Sequence, residues 1–202
     1  MTARPFLYPV RTAGGAQVAT LRYAAHDATS ARFEWLDDAG ALVLDARISG
    51  PGATRLFDAA GRELPVAGAR AASPAVAAMQ AVGPSAVMRS CHPGGRPAWI
   101  IDDYENRSRH LIFGCAPDLF LNVHLDHRGT LTVTEKTRCH ATLRCVRRDA
   151  TAALLEDEAT VQPGEDLADI ARRCGVLIAT LLAANTALAG GPPAAGTVVK
   201  IA

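Results

Sequence analysis

The side chains best suited to chemistry in this chain are its cysteines and histidines. Cys91 stands directly before His92 and a glycine-rich segment, which places a thiol next to an imidazole in the sequence. A nucleophilic cysteine needs a general base that reaches its sulfur from elsewhere in the fold, so two adjacent residues do not form a catalytic pair. We therefore interpret Cys91 as a loop thiol and do not expect it to be catalytic.

Several histidines lie around one predicted turn. His124, Asp126 and His127 are near neighbours, and His110 and His140 belong to adjoining predicted strands. A metal ion in a protein is usually held by three or four converging ligands. This pattern offers only one short spacing, so we expect neither a bound metal nor a cofactor.

Polar and apolar residues alternate along three predicted strands near residues 119–125, 130–134 and 139–145. Alternation is typical of half-buried strands, because successive side chains point to opposite faces of the sheet. Cys139 and Cys145 are expected to share one strand and to face the core. The polar side is either an ordinary solvated face or a ligand-binding face. The candidate ligand face consists of Asn122, His124, Thr132, His140 and Arg144.

The strands themselves are predicted from recurring turns. An Asp-x-x-Gly pattern between apolar residues occurs at residues 37–40, 58–61 and 126–129. The aspartate side chain accepts hydrogen bonds from turn amides, and the glycine takes the left-handed conformation that ends a type I turn with a bulge. The pattern predicts three hairpins, and a further turn is expected around residues 105–107.

Residues 1–150 therefore form a mainly β segment of about eight or nine strands. One helix is predicted from Ser73, a candidate N-cap, to Val82. The fold class is α+β, with the antiparallel β part arranged as a barrel, a trefoil or a sandwich. The turns faintly resemble those of the tubby-like/scramblase barrels, and residues 109–148 faintly resemble a β-trefoil repeat. Neither resemblance covers enough of the chain to imply a function.

Composition excludes several classes of function. The chain has 202 residues, 49% of them hydrophobic, and a formal net charge of +1, which disfavours nucleic-acid binding driven by bulk charge. No stretch approaches the roughly 18–20 apolar residues of a membrane span. The amino terminus lacks the apolar run of a signal peptide, and the number of cysteines is odd. We expect free thiols and a protein that is cytoplasmic as synthesised, or exported without a classical signal peptide.

Residues 159–202 carry the clearest pattern in the chain. A short strand is followed by a Pro-Gly turn and by a helix with apolar residues at helical spacing. Asp166 is a suitable N-cap for this helix, and Gly175 can supply its left-handed stop. A second short helix that ends at Asn185 and a closing strand at residues 196–201 complete the segment.

This order of elements, with the segments Gly164-Glu165-Asp166-Leu167 and Leu181-Leu182-Ala183-Ala184-Asn185, resembles the LysM (lysin motif) module. The resemblance implies a βααβ fold that binds N-acetylglucosamine-containing glycans such as peptidoglycan or chitin. It also implies a shallow groove between the first turn and the loop after the second helix. The groove residues implied are Gly164, Glu165, Asp166, Leu167, Asn185, Thr186, Ala187 and Leu188. The segment has no Phe, Tyr or Trp to stack on a sugar ring.

The predicted organisation is a β domain over 1–150, a short linker or helix over 151–158 and a LysM-like module over 159–202. The preferred function is a non-catalytic binding protein whose tail attaches the β domain to peptidoglycan or another N-acetylglucosamine polymer, with the cell wall as the site of action. The alternative is an assembly component of a phage-tail-like or contractile injection machine, in which the module docks onto a protein partner. A peptidoglycan hydrolase is the third hypothesis.

Overall fold

The protein is α+β, built mostly from antiparallel strands with two short α-helices. The computed structural model describes residues 5–25, 30–49, 53–65, 67–68, 86–139, 141–149, 153–191 and 193–201. Within these ranges the strands form two open sheets, and within each sheet the strands that are consecutive in the sequence are hydrogen-bonded neighbours. The helix expected at residues 73–82 and the residue His140 lie outside the described residues.

Sheet 1 is a five-stranded meander. Its strands are β1 (Phe6–Arg11), β2 (Gln17–Ala25), β3 (Ala31–Asp37), β4 (Leu42–Ile48) and β5 (Arg55–Phe57). On its outer face Arg22, Arg32 and Arg47 form ion pairs with two carboxylates, those of Glu34 and Asp45. The outer face is therefore a ladder of alternating charges, while the inner face is apolar.

Sheet 2 has nine strands and continues to the carboxy-terminal end of the described chain. Its strands are β6 (Ala67–Gly68), β7 (Ala86–Cys91), β8 (Ala98–Asp103), β9 (Ser108–Ala116), β10 (Leu119–Leu125), β11 (Leu131–Thr137), β12 (Thr142–Arg148), β13 (Leu154–Thr160) and β14 (Val198–Lys200). Strand β14 and the last two residues of β13 lie in the LysM-like segment 159–202, and β13 also pairs with β12 on its other side. The module and the rest of the protein therefore share one sheet.

The segment over 151–158 differs from the linker or short helix that its sequence favours. From Leu154 onward it is strand β13, although its first side chains are exposed and give no alternating pattern. The strand forms because its backbone finds hydrogen-bond partners on both sides, in β12 and in β14. The domain boundaries given above stay a prediction.

The three Asp-x-x-Gly hairpins are confirmed. The amide of Asp37 donates to the carbonyl four residues on at 2.9 Å, and its Oδ1 accepts from that residue's amide at 2.8 Å. Asp58 and Asp126 make the same two contacts in their turns, and Gly40 has a φ of 81°. The turn expected around residues 105–107 is also present, and it joins β8 to β9.

The two sheets pack face to face around one hydrophobic core. Trp35 of sheet 1 contacts Phe113 of sheet 2, with ring centroids 4.9 Å apart, and both side chains are buried. Leu121 and Val123 of β10 face this core, as their alternation predicts. Because neither sheet closes on itself in the described part of the chain, a barrel or trefoil is not confirmed.

The alternation predicted for β12 is right for Leu143, which packs against the core, but wrong from Arg144 onward. Leu143 is a bulge residue that interrupts the pairing of β12 with β11. A bulge of one residue reverses the faces of the side chains that follow it. Arg144 therefore lies on the inner side of sheet 2, where it is buried, and Cys145 lies on the outer side. Cys139, which is also expected in this strand with its side chain facing the core, instead lies in the preceding turn and is exposed.

The LysM-like module has a small core of its own. Helices α1 (Leu167–Cys174) and α2 (Ile178–Ala184) pack beside β13 and β14, and a 3-10 turn (Thr186–Gly190) follows α2. The predicted cap and stop of α1 are confirmed, since Asp166 forms a capping box and Gly175 is left-handed with a φ of 69°. No helix in the described part of the protein combines the length and the apolar character that crossing a membrane requires.

Candidate functional site

The first edge of the predicted groove is the turn between β13 and α1. Pro163 and Gly164 are exposed at its tip, and the φ of 78° at Gly164 is a left-handed conformation that favours glycine. Asp166 Oδ1 accepts from Asp169 N at 2.9 Å, and Asp169 Oδ2 accepts from Asp166 N at 3.1 Å. These reciprocal bonds hold the turn while its tip stays open to solvent.

Glu165 is held inside the module and is not a free groove side chain. One carboxylate oxygen accepts from Arg173 Nε at 2.7 Å, and the other accepts from Gln162 N at 2.9 Å. The two paired side chains are only 9% and 2% exposed. Arg173 also donates to the carbonyls of Leu143 and Thr160. Glu165 therefore anchors the turn, and its carboxylate is already occupied by protein donors.

The second edge of the groove is the loop after α2. Asn185 Nδ2 donates to Leu181 O at 2.7 Å and to Lys200 O at 2.6 Å, and its Oδ1 accepts from Lys200 N at 2.8 Å. The Asn185 side chain thus ties the end of α2 to strand β14. Thr186 and Ala187, which follow it, are exposed.

Both edges pack against the core of the module. Leu167 comes from the first edge and Leu188 from the second, and both are half-buried against the same buried cluster. The predicted groove residues that remain exposed are Gly164, Asp166, Thr186 and Ala187. The structure therefore brings both loops to one place and leaves part of each open.

Arginines join the module to the β body, which comprises strands β1–β12. Arg144 forms a two-pronged ion pair with Asp157 of β13, at 2.8 and 2.6 Å, and donates to Cys174 O at the end of α1. Arg11 of β1 lies against Gly175, where a Cβ would come within 2.8 Å of its Nε. Arg144, expected on the candidate ligand face, is instead a buried junction residue on the opposite face of the sheet.

A carboxyl group is buried at the same junction. Glu135 of β11 is 2% exposed and accepts a 2.8 Å hydrogen bond from the Tyr8 hydroxyl. Burial raises the pKa of Glu135 to about 7, although the Tyr8 bond and the charges of Arg144 and Arg173 act to lower it. The folded protein therefore opposes the ionisation of this group.

A cleft of about 570 Å³ opens along the junction. Its walls come from the β1–β2 hairpin, the turn between β9 and β10, the β11–β12 hairpin and residues 162–165. Gly164 and Glu165 therefore border both this cleft and the predicted groove. The sequence did not indicate the cleft, because its walls are distant in the chain and carry no shared motif.

The candidate ligand face is only partly assembled. Asn122, His124 and Thr132 lie on the outer side of sheet 2, where His124 stacks on His110 with ring centroids 4.2 Å apart. Burial lowers the pKa of both histidines, that of His110 to about 3, so both rings are neutral near neutral pH. Asn122 is buried, so the middle of this face is not an ordinary solvated face of a sheet. Among the described residues, no three potential metal ligands converge.

Cys91 is the last residue of β7 and is buried, so it is not the loop thiol that its sequence context suggests. Burial raises the pKa of the Cys91 thiol to about 11, which leaves little of the nucleophilic thiolate near neutral pH. The five cysteines are all free thiols, which confirms that expectation.

Three residues of the junction were not singled out from the sequence, namely Arg11, Glu135 and Arg173. Glu135 occupies an inward position of the alternating strand β11, and Arg173 lies on the buried side of α1. A charged residue at an apolar position of a regular pattern is costly unless it is paired. Such a break in the pattern was the available signal, and it pointed to buried partners.

Comparison with known proteins bears on one part of the chain. No curated protein and no solved structure matches the chain. No family model matches the region before residue 159. Residues 159–202 match the family model of the LysM domain, which confirms the resemblance and indicates binding of N-acetylglucosamine-containing glycans.

Proposed function

We propose that this protein is a non-catalytic binding protein that holds peptidoglycan, through its N-acetylglucosamine units, in the groove of residues 159–202. The observation that carries the proposal is the LysM match of a segment whose two groove edges are both exposed. On this proposal the β body is the part that is attached, and the cell wall is the site of action.

The chemistry of the exposed edges supports an uncharged ligand. Glu165 and Asn185 are occupied by protein partners, so the polar groups at the surface are the Asp166 carboxylate, one oxygen of which caps α1, the Thr186 hydroxyl and the loop backbone. A Cβ added at Gly164 would meet nothing within 4 Å, so a sugar can approach the backbone closely there. Backbone amides and carbonyls suit the hydroxyl and acetamido groups of a glycan. Because the module has no aromatic ring to stack on a sugar, we expect weak affinity from a single copy.

Co-sedimentation with purified sacculi and with chitin beads tests the proposal. Ala187→Glu places a longer, charged side chain at the second groove edge, and we expect it to weaken retention by at least about tenfold, or ~1.4 kcal/mol. Ala179→Glu is the matched control, because Ala179 is exposed on α2 and the charge change is identical. A wild-type protein that stays in the supernatant with both polymers would refute the proposal. Equal behaviour of the two variants would refute the assignment of the groove.

A protein-docking role is the second candidate, and one observation favours it. Leu177 and Ile178, at the start of α2, are 74% and 44% exposed, which is a large apolar surface for so small a module. An assembly component of a phage-tail-like or contractile injection machine would use such a surface. Leu177→Ser should fold, because serine is a better N-cap than leucine at that position. Leu7→Ser is the matched control, because Leu7 is an exposed leucine of β1, outside the module. If the protein retains no glycan, loss of a co-purifying complex in Leu177→Ser but not in Leu7→Ser would favour docking.

A hydrolase is the least supported of the three hypotheses. Cys91 is the nucleophile that the sequence context first suggests. Its thiol is buried and its pKa is raised, which argues against that role. Incubation of the protein with peptidoglycan checks this directly. Soluble fragments that appear with the wild type and not with Cys91→Ala would overturn the non-catalytic proposal.

A further inference from the structure

The junction cleft has the size and position of a second ligand site. Its volume of about 570 Å³ lies within the range of about 300–1,000 Å³ that is usual for small-ligand pockets. It is built by the β body and the module together, since residues 11–13 and 116–119 come from the former and residues 162–165 from the latter.

The lining of the cleft suits an amphiphilic, uncharged ligand. Apolar surface comes from small and medium side chains, namely Ala13, Ala116, Pro117, Leu119, Leu143 and Pro163. Uncharged polar groups come from Thr12, Thr137 and Gln162. The charge of Arg173 is already balanced by Glu165 and that of Asp169 by Arg172, and Arg11 faces a cleft that also contains Asp118. A charged ligand therefore finds little net attraction here, whereas an acetamido methyl group and sugar hydroxyls find both kinds of partner.

The cleft borders the predicted groove of the LysM-like module, because Gly164 and Glu165 line the cleft and also belong to the predicted groove residues. Gly164 offers little obstruction there, because it has no side chain and a Cβ added to it would meet nothing within 4 Å. Pro163, beside it, is exposed as well. A glycan chain that lies in the groove can therefore extend over Gly164 towards the cleft without meeting a side chain at that residue.

We propose that the junction cleft binds a further uncharged N-acetylated sugar unit of the same glycan chain that the module holds. This inference rests on the proposed function. It assigns part of the binding site to the β body, so the recognised length of glycan is longer than the groove alone covers. It also gives the aromatic-free module a second source of binding energy.

Calorimetric titration of the full chain with a ladder of N-acetylglucosamine oligomers, from the disaccharide to the octasaccharide, tests the inference. We expect the longest oligomers to bind the wild type at least about tenfold more tightly than the short ones, or ~1.4 kcal/mol. Ala13→Leu narrows the cleft from one wall, and Asp118→Leu from the other, and each is expected to remove most of that gain. Both residues are exposed in turns, so both variants should fold.

Ala59→Leu is the matched control, because Ala59 is exposed at the same position of a similar hairpin turn that does not border this cleft. It should keep the full gain with length. The cleft assignment is overturned if oligomers bind the wild type without a gain in affinity with length, or if that gain persists in both cleft variants. In either case the proposed function stands. If no oligomer of any length binds the wild type, the proposed function and this inference both fail.

Discussion

Replacing Glu135 by glutamine is expected to change how stability depends on pH. In the unfolded chain the carboxyl ionises near its ordinary pKa of 4.5, whereas burial raises the pKa to about 7 in the folded protein. Below about pH 4.5 both states hold the proton, and the stabilising contribution is complete. Between about pH 4.5 and about pH 7 the unfolded chain releases its proton first, so the free energy of unfolding falls as pH rises.

The size of this loss follows from the difference between the two pKa values. Each unit corresponds to about 1.4 kcal/mol, so ionisation of Glu135 costs the folded protein about 3 kcal/mol by about pH 8. Between about pH 5 and about pH 8 the difference in unfolding free energy between Glu135→Gln and the wild type should therefore grow by about 2–3 kcal/mol. The variant becomes the more stable of the two as pH rises, because glutamine does not ionise. Its side chain keeps the size of glutamate, and its oxygen can still accept a hydrogen bond from Tyr8.

Urea titrations of both proteins at these two pH values measure that difference. The pKa values of His110 and His124 are lowered in the folded protein, so the free energy of unfolding also falls as pH drops below the pKa of a histidine in the unfolded chain. This contribution is the same in both proteins and cancels in the difference. Tyr8→Phe gives a second arm, because removal of a bond that lowers the pKa of Glu135 should make the pH-dependent loss larger. If wild type and Glu135→Gln show the same pH dependence, Glu135 does not titrate as its burial implies and the reasoning is wrong.

Two further predictions concern the module. Glu165→Gln should cost about 3–5 kcal/mol in urea unfolding, because it leaves the guanidinium of Arg173 buried without its counter-charge; a loss below about 1 kcal/mol would mean that the pair is not desolvated. Gly164→Ala should cost about 1–2 kcal/mol for its left-handed backbone alone, whereas Gly175→Ala should cost more, because its Cβ would also displace the Arg11 side chain, which donates to Gly15 O at 3.0 Å. Equal costs for the two glycine variants would contradict the close contact of Arg11 with the end of α1.

Local chemistry made the turns and the module predictable. The aspartate and glycine of each Asp-x-x-Gly turn act within a few residues, so their effect does not depend on the rest of the fold. Asp166 and Gly175 likewise cap and stop α1 through bonds to their own neighbours. Signals of this kind are complete in the sequence, and the structure confirms them.

The sheet-level features depend on pairing between distant segments, which the sequence does not display. The bulge at Leu143 reversed the face assigned to Arg144, because a one-residue shift exchanges the two sides of a strand. The strand that begins at Leu154 escaped detection because its first side chains are exposed and only its backbone is shared. Glu135 sits at an inward position where the pattern calls for an apolar residue, and only the fold shows that Tyr8 satisfies it.

The shared sheet also bears on how a bound glycan would be connected to the rest of the protein. A module on a flexible tether can turn freely, but here rotation would break the backbone bonds between β12 and β13 and the ion pair of Arg144 with Asp157. The contact of Arg11 with the end of α1 adds a second point of attachment, from the other sheet. Three separate contacts therefore resist the same movement. On the proposed function, a glycan held by the groove would fix the direction in which the charged outer face of sheet 1 points, so attachment would also set orientation.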